Sequence, residues 1–290
     1  MAEREPGPIA TSFLAETGMR IGEVAEHLGF GAGPLPSGRG WARLDDAMAS
    51  GLVERMAAGL VQSEGRRDVA GSYLGSRLAG PIVGRTVAGL LVDGRCPDPD
   101  PSNVAVHLHD DGWFDAVNFL GPRAAVLADD PAAGQPGTVV VPDPAALRDW
   151  WARVVTAAGG PLLEAVRQQL PYGRRGLWGS IADRVGGTAL TVARASGRPG
   201  EAGWAAATEL LDALAAYAPV PLTRPQPFPV SSAMGGDAMF SVKGTCCLYY
   251  LTVDSPDPCG EGYFTSCPFT DPDHRHRKLA AWLDEQEMGT

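Results

Sequence analysis

Four of the five cysteines in this chain, Cys246, Cys247, Cys259 and Cys267, fall within 22 residues near its C-terminal end, and Cys96 stands apart. Thiols gathered in this way serve disulfides in an oxidising compartment, or metal and redox chemistry in a reducing one. The opening residues MAEREPGPIATSF carry charge and proline with no apolar stretch, so they do not read as a secretory signal. The expectation is a cytoplasmic protein whose cysteine cluster binds metal or carries electrons. Zinc sites pair cysteines two to four residues apart, so that both sulfurs face one ion. No such knuckle occurs here. Cys246 and Cys247 are adjacent, eleven residues follow before Cys259, and seven more before Cys267. Adjacent side chains on extended backbone diverge, which suits a cluster with several coordination directions better than one ion. Leu248, Tyr249, Tyr250, Tyr263, Phe264 and Phe269 offer the apolar shell that an iron–sulfur cluster favours. Spacing alone leaves three readings open: iron–sulfur, zinc and unligated thiols.

The run Cys246-Cys247-Leu248-Tyr249-Tyr250, with Cys259 and Cys267-Pro268 beyond it, resembles the C-terminus of the FhuF-like ferric-siderophore reductase family. Leu177-Trp178-Gly179-Ser180-Ile181-Ala182 is similar to a helical segment of that family. Ser72-Tyr73-Leu74, followed by Arg77-Leu78 and Pro81, resembles its N-terminal helix. The resemblance spans roughly residues 65–283, and only the cysteine pattern is specific. It implies a [2Fe-2S] cluster held by Cys246, Cys247, Cys259 and Cys267, and one-electron reduction of a ferric siderophore. The family ends in C-x-x-C, whereas here residues 260–266 separate the last two cysteines.

Other residues are candidates for contact with substrate or electron donor. Arg174 and Arg175 open the segment that contains Trp178, and two guanidiniums there could meet the oxygens of a chelate. Trp178 could wall a pocket, although core packing is the commoner role of such a residue. His274-Arg275-His276-Arg277-Lys278 puts Arg275, Arg277 and Lys278 just past the cysteines. That segment could steer an acidic donor or an anionic chelate, or be only a solvated helix face. His107 and His109 alternate on an expected strand and share a face, the usual reading being a half-exposed strand. Cys96 reads as a free thiol without a role.

The chain has 290 residues, 44% of them hydrophobic and 20% charged, within the range of ordinary globular proteins. Its net charge of −10 argues against nucleic-acid binding, which favours a basic excess. No run approaches the ~18 apolar residues of a membrane-spanning helix. No P-loop, G-x-G-x-x-G, G-x-S-x-G or H-E-x-x-H motif occurs. A reductase built this way would take its electrons from another protein, a ferredoxin-type or flavoprotein donor.

The elements that must position these residues form an α+β chain. It is expected to be mostly helical, with a small central, mainly antiparallel sheet and a C-terminal cysteine-rich loop. Helices are expected near 21–28, over 41–64 and from 67 onward, with Pro81 near an end or a kink. Strands are expected at 86–92, 104–109, 114–119, 124–128 and 138–141, with Asp110-Asp111-Gly112 as a hairpin turn. Asp143-Pro144 predicts a helix start. Helices then follow at 161–170, 176–193, 201–218 and 272–288. Five prolines make 219–229 an extended connector. Three regions result: a helical 1–65, an α+β substrate-binding body over 66–218, and an iron–sulfur segment over 219–290 that forms one compact unit with the body. The alternative to a reductase is a zinc-stapled siderophore-binding or siderophore-biosynthesis-related protein without redox activity.

Overall fold

A computed structural model describes residues 12–109, 113–252 and 262–288. The chain is α+β, with helices dominating three small sheets. The helices are α1 (Phe13–Val24), α2 (Leu44–Ala49), α3 (Leu52–Glu64), α4 (Arg67–Asp93), α5 (Pro144–Gln169), α6 (Arg174–Ala195), α7 (Gly200–Tyr217) and α8 (Pro272–Met288). The strands are β1 (Gly31–Ala32), β2 (Trp41–Arg43), β3 (Cys96–Pro97), β4 (Val104–Leu108), β5 (Phe114–Phe119), β6 (Ala124–Leu127), β7 (Thr138–Val141), β8 (Gln226–Ser231) and β9 (Asp237–Val242).

Strands β1-β5-β4-β2 form one sheet, β3-β6-β7 a second, and β8-β9 a hairpin. The expected single, mainly antiparallel sheet is therefore divided. It is also mixed, because β1 runs parallel to β5 and β6 parallel to β7. The β4–β5 pairing is antiparallel, with Val106 opposite Val117. The expected turn at 110–112 lies outside the described residues.

Helix ends follow local chemistry. The Asp143 carboxylate accepts the Ala146 N–H at 2.8 Å with Pro144 in the first turn, and Asp271 accepts the His274 N–H at 2.8 Å to start α8. Two expectations fail here for physical reasons. The helix expected over 41–64 is a strand and two helices, because Gly51 takes a left-handed conformation (φ 82°) between α2 and α3. Its apolar stripe of Leu44, Leu52, Met56 and Leu60 is buried all the same. Residues 86–92 are the last turns of α4, not a strand. The middle of α4 is covered on nearly all sides, so its sequence shows a continuous apolar run and no 3.6-residue period. Pro81 sits inside α4 and does not end it. Likewise α5 runs through Pro161 as one helix.

Helices α4 and α6 form the centre of the molecule. They approach closely because α4 presents glycine to its neighbour: a Cβ on Gly75 would lie 2.5 Å from Leu177 Cδ2. One continuous core runs from Ile21 to Leu214, crossing position 65 without a break. A small second core joins Val230 of the β8–β9 hairpin to Leu279 and Leu283 of α8. The C-terminal segment is thus an annex, closed by its own helix and laid against α4 and α6. Among the described residues, no helix is long and apolar enough to cross a membrane.

Candidate functional site

The segment 244–247 is fastened to the helical body by side chains that sequence reasoning did not single out. On α6, the Asp183 carboxylate accepts the Gly244 N–H at 2.6 Å, the Thr245 N–H at 3.2 Å and the Thr245 hydroxyl. Gly179, one turn earlier, leaves room for Thr245, whose Cγ2 would lie 2.3 Å from a Cβ there. The Tyr172 hydroxyl donates to the Cys246 carbonyl at 2.9 Å, and the Ser72 hydroxyl of α4 donates to the Cys247 carbonyl at 2.6 Å. Burial pushes Asp183 up to about 6 against the pull of its hydrogen bonds. Burial, with the cysteines beside them, also pushes the Tyr73 and Tyr172 phenols up, so both remain neutral donors.

The second limb of the loop carries Cys267, which is buried. It is tied to the first by the Lys243 N–H, which donates to the Ser266 carbonyl at 2.8 Å. Arg275 of α8 holds the limb from within. Its guanidinium donates to the carbonyls of Thr265 and Cys267, each at 2.7 Å, and of Thr270 at 3.0 Å, and it lies 4.9 Å from the Phe228 ring centroid. The aromatic shell also assembles: Tyr250 stacks on Tyr263 at 5.3 Å, and Tyr249 on Phe264 at 4.8 Å.

The Cys246 and Cys267 thiols lie close enough to act on each other, which holds Cys246 up and pulls Cys267 down to about 6. The Phe269 N–H, Lys243 and the Thr270 N–H pull Cys267 the same way, against burial. The Leu248 N–H donates to Cys246 Sγ at 3.3 Å. Leu248 achieves this in a left-handed conformation, φ 61°.

Cys246, Cys247 and Cys267 meet the aromatic shell around one closed crevice that has no room for a water molecule. None of the three is in a disulfide. Uncrosslinked thiols suit a thiolate-bound group, and the backbone N–H groups near Cys246 and Cys267 favour the charged form. In donor chemistry the site therefore fits a metal cluster. The three thiols do not themselves form a finished ligand cage: among the described residues, no three His, Cys, Asp or Glu side chains are disposed to hold an ion. Cys259, the fourth expected ligand, lies outside the described residues.

On the other side of Cys246 and Cys247 opens a cavity of about 490 Å³, between the cysteine loop and helices α4 and α6. Its wall includes Tyr73 and Arg77 of α4, Asp183 and Arg184 of α6, Lys243 and Phe264. The residues named from sequence as candidates for such a pocket are elsewhere. Trp178 is 3% exposed and packs in the main core, not in the cavity wall. Arg175 donates to Thr223 at 3.0 Å and Arg174 to Glu164 at 3.1 Å, both outside the cavity wall. Arg275 is not a surface contact either: it is 5% exposed and saturated with carbonyls, which corrects its place in an exposed basic patch. Arg277 and Lys278 are exposed on α8. Cys96 is fully buried in β3, and burial pushes its thiol well up, as befits an inert core thiol. His107 pairs with Asp115 at 2.7 Å, and His109 packs on Trp113.

The sequence held one overlooked signal for the cavity. Asp183-Arg184 is a charged pair set between Ile181-Ala182 and Val185-Gly186, in the apolar middle of a helix. Charges in such a place need partners or a solvated hollow. No family model matches the chain, and no curated protein matches it.

Proposed function

We propose that the protein is a ferric-siderophore reductase acting in the cytoplasm. One observation carries the proposal: the Cys246-Cys247 pair lines a 490 Å³ cavity on the body side and meets Cys267 and the aromatic shell in a closed crevice on the other. Cys246, Cys247, Cys259 and Cys267 would hold a [2Fe-2S] cluster, which when bound supplies a one-electron donor. The net change is the gain of one electron by Fe³⁺ in the chelate to give Fe²⁺, drawn from a ferredoxin-type or flavoprotein donor. Hard oxygen ligands hold Fe²⁺ far less strongly than Fe³⁺, so the iron is then released.

The chain's own residues bind and orient. Asp183, Tyr172 and Ser72 fix the backbone of 244–247, so the dithiol faces the cavity in one orientation. Ser76, Tyr73 and the cationic side chains of the wall offer donors to chelate oxygens. Lys243 and Phe264 link the cavity to the Cys267 limb, the ammonium lying 5.9 Å from the ring centroid.

The test is anaerobic purification with iron and acid-labile sulfide measured against protein, followed by reduction of a ferric siderophore with an Fe²⁺-specific dye as trap. About two irons and two sulfides per chain, and dye colour that depends on donor protein, are expected. A colourless protein with zinc and no sulfide would establish the stapled, redox-inactive alternative instead.

A further inference from the structure

Cationic side chains converge on the cavity, and no hydrogen bond or ion pair within the described protein occupies two of them. Arg77 and Arg184 both line it, and neither makes a hydrogen bond or ion pair among the described residues. Arg39, Arg153, Arg198 and Arg277 also lack such partners among the described residues but are exposed to solvent, whereas Arg77 and Arg184 are partly buried; Arg20, Arg43, Arg66, Arg95, Arg123, Arg148, Arg167, Arg174 and Arg224 each have a carboxylate partner. Arg77 instead lies 5.8 Å from the Tyr73 ring centroid. Arg184 lies over α4 where there is no side chain: its Nε and Nη2 stand 3.1 and 3.2 Å from where a Gly80 Cβ would be. Lys243 adds a third positive charge on the cysteine side.

The acid in the same wall acts on Lys243 and leaves Arg184 uncompensated. Asp183 is turned to Gly244 and Thr245. A second hollow of about 780 Å³ shares Ser76, Arg77 and Arg184 with the first and adds Glu26, Asp115 and Arg85. There Asp115 is held by His107 at 2.7 Å, and Glu26 is exposed. Arg85 brings a further positive charge, which burial and nearby Arg184 pull down to about 10. Burial lowers Arg184 too. Arg85 donates to the Gly29 and Pro81 carbonyls, but Arg184 has no such partner among the described residues, and a partly buried guanidinium without one, beside a second positive charge, costs stability in the free protein. A ligand that supplies anionic oxygens removes that cost.

We infer that the cavity takes a ferric chelate of net negative charge, a tris-catecholate or a polycarboxylate complex, and that Arg184 and Arg77 are its specificity-determining contacts. The inference rests on the cavity being the chelate site of the proposed reductase. It assigns selectivity to these arginines, against neutral chelates such as trihydroxamates. Guanidinium forks match catecholate and carboxylate oxygens in pairs, and a neutral chelate leaves them as they are.

The test uses gallium(III) complexes, which cannot be reduced, so binding is read separately from electron transfer. Titration of the full chain with gallium tris-catecholate, gallium citrate and a neutral gallium trihydroxamate, followed by calorimetry, gives the three affinities. The anionic complexes should bind at least tenfold tighter than the neutral one. Their affinity should fall as salt rises from about 50 to about 500 mM. Arg184→Gln and Arg77→Gln should each weaken the anionic complexes roughly ten- to hundredfold and leave the neutral one unchanged. Arg184→Lys should recover part of the loss. Comparison of the tris-catecholate and citrate arms identifies which anionic chemistry fits. Equal or tighter binding of the neutral complex overturns the inference, as does anionic binding unaffected by both substitutions in variants with wild-type melting curves. Absence of binding by all three complexes overturns it as well. A protein without iron or sulfide that still selects anionic complexes would refute the reductase and leave this selectivity standing.

Discussion

The two limbs of the cysteine loop are held by opposite strategies. Residues 244–247 are fastened from outside, by Asp183 and Ser72 on the central helices and Tyr172 in the connection before α6. The Cys267 limb is fastened from inside, by one guanidinium from the chain's own last helix, which gathers three carbonyls. The first arrangement distributes a few modest hydrogen bonds over elements 61 to 175 residues away in sequence. The second concentrates its stabilisation in one buried residue. Loss of a tie should therefore be graded in the first limb and abrupt in the second.

The largest effects should come from the thiols, where both limbs meet. Cys246→Ser and Cys267→Ser should each reduce bound iron to a small fraction of wild type, because serine stays protonated and ligates poorly at neutral pH. Cys96→Ser should leave iron content unchanged. Metal analysis and visible absorption check all three, and retained iron in both loop variants would break the ligand assignment.

Arg275→Gln comes next. Three charge-assisted hydrogen bonds are lost and buried carbonyls are left without donors, so destabilisation of roughly 3 kcal/mol is expected, read in urea unfolding. A change under about 1 kcal/mol would mean that the second limb is distributed as well.

Asp183→Asn tests the first limb through pH. The folded-state pKa of about 6 lies above that of an ordinary aspartate. The folded state therefore holds the proton more tightly, and this group's contribution to stability falls as pH rises through the window from about 4 to about 6, then stays flat. The shift sets an upper bound of about 3 kcal/mol. The wild-type minus variant difference in unfolding free energy should fall across that window. A difference independent of pH would show that Asp183 ionises normally.

Smaller still, Tyr172→Phe should cost about 1 kcal/mol, the usual worth of one neutral hydrogen bond. Arg277→Gln with Lys278→Gln should change stability by less than about 0.5 kcal/mol. If the two residues dock an acidic donor, the pair of substitutions should slow cluster reduction at low salt alone, as stopped-flow traces would show.

What could be read in advance followed the range of the cause. Caps and periods act over a few residues, so Asp143-Pro144, the α8 boundaries and strands β5 and β7 were legible. The cysteine positions were legible because thiols are few. The interior of α4 was not, since burial on all sides erases the period on which reading depends. Nor was the β8–β9 hairpin, whose three prolines suggest an extended connector: Pro225, Pro227 and Pro229 flank or lie in β8 at one edge of a two-stranded ribbon. The site's supports were the least accessible. Asp183 acquires its role only when residue 244 arrives beside it, and a lone acid on a helix does not announce which loop it will hold. The basic run 274–278 shows the same limit: one helical turn points Arg275 inward and His276, Arg277 and Lys278 outward.

Leu248 has a wider consequence. Left-handed backbone is unfavourable for leucine by roughly 1–2 kcal/mol, yet this corner follows directly on Cys247 and turns its own N–H onto Cys246 Sγ. The direction of the Cys246 sulfur is thus written in chain torsion as well as in side-chain packing.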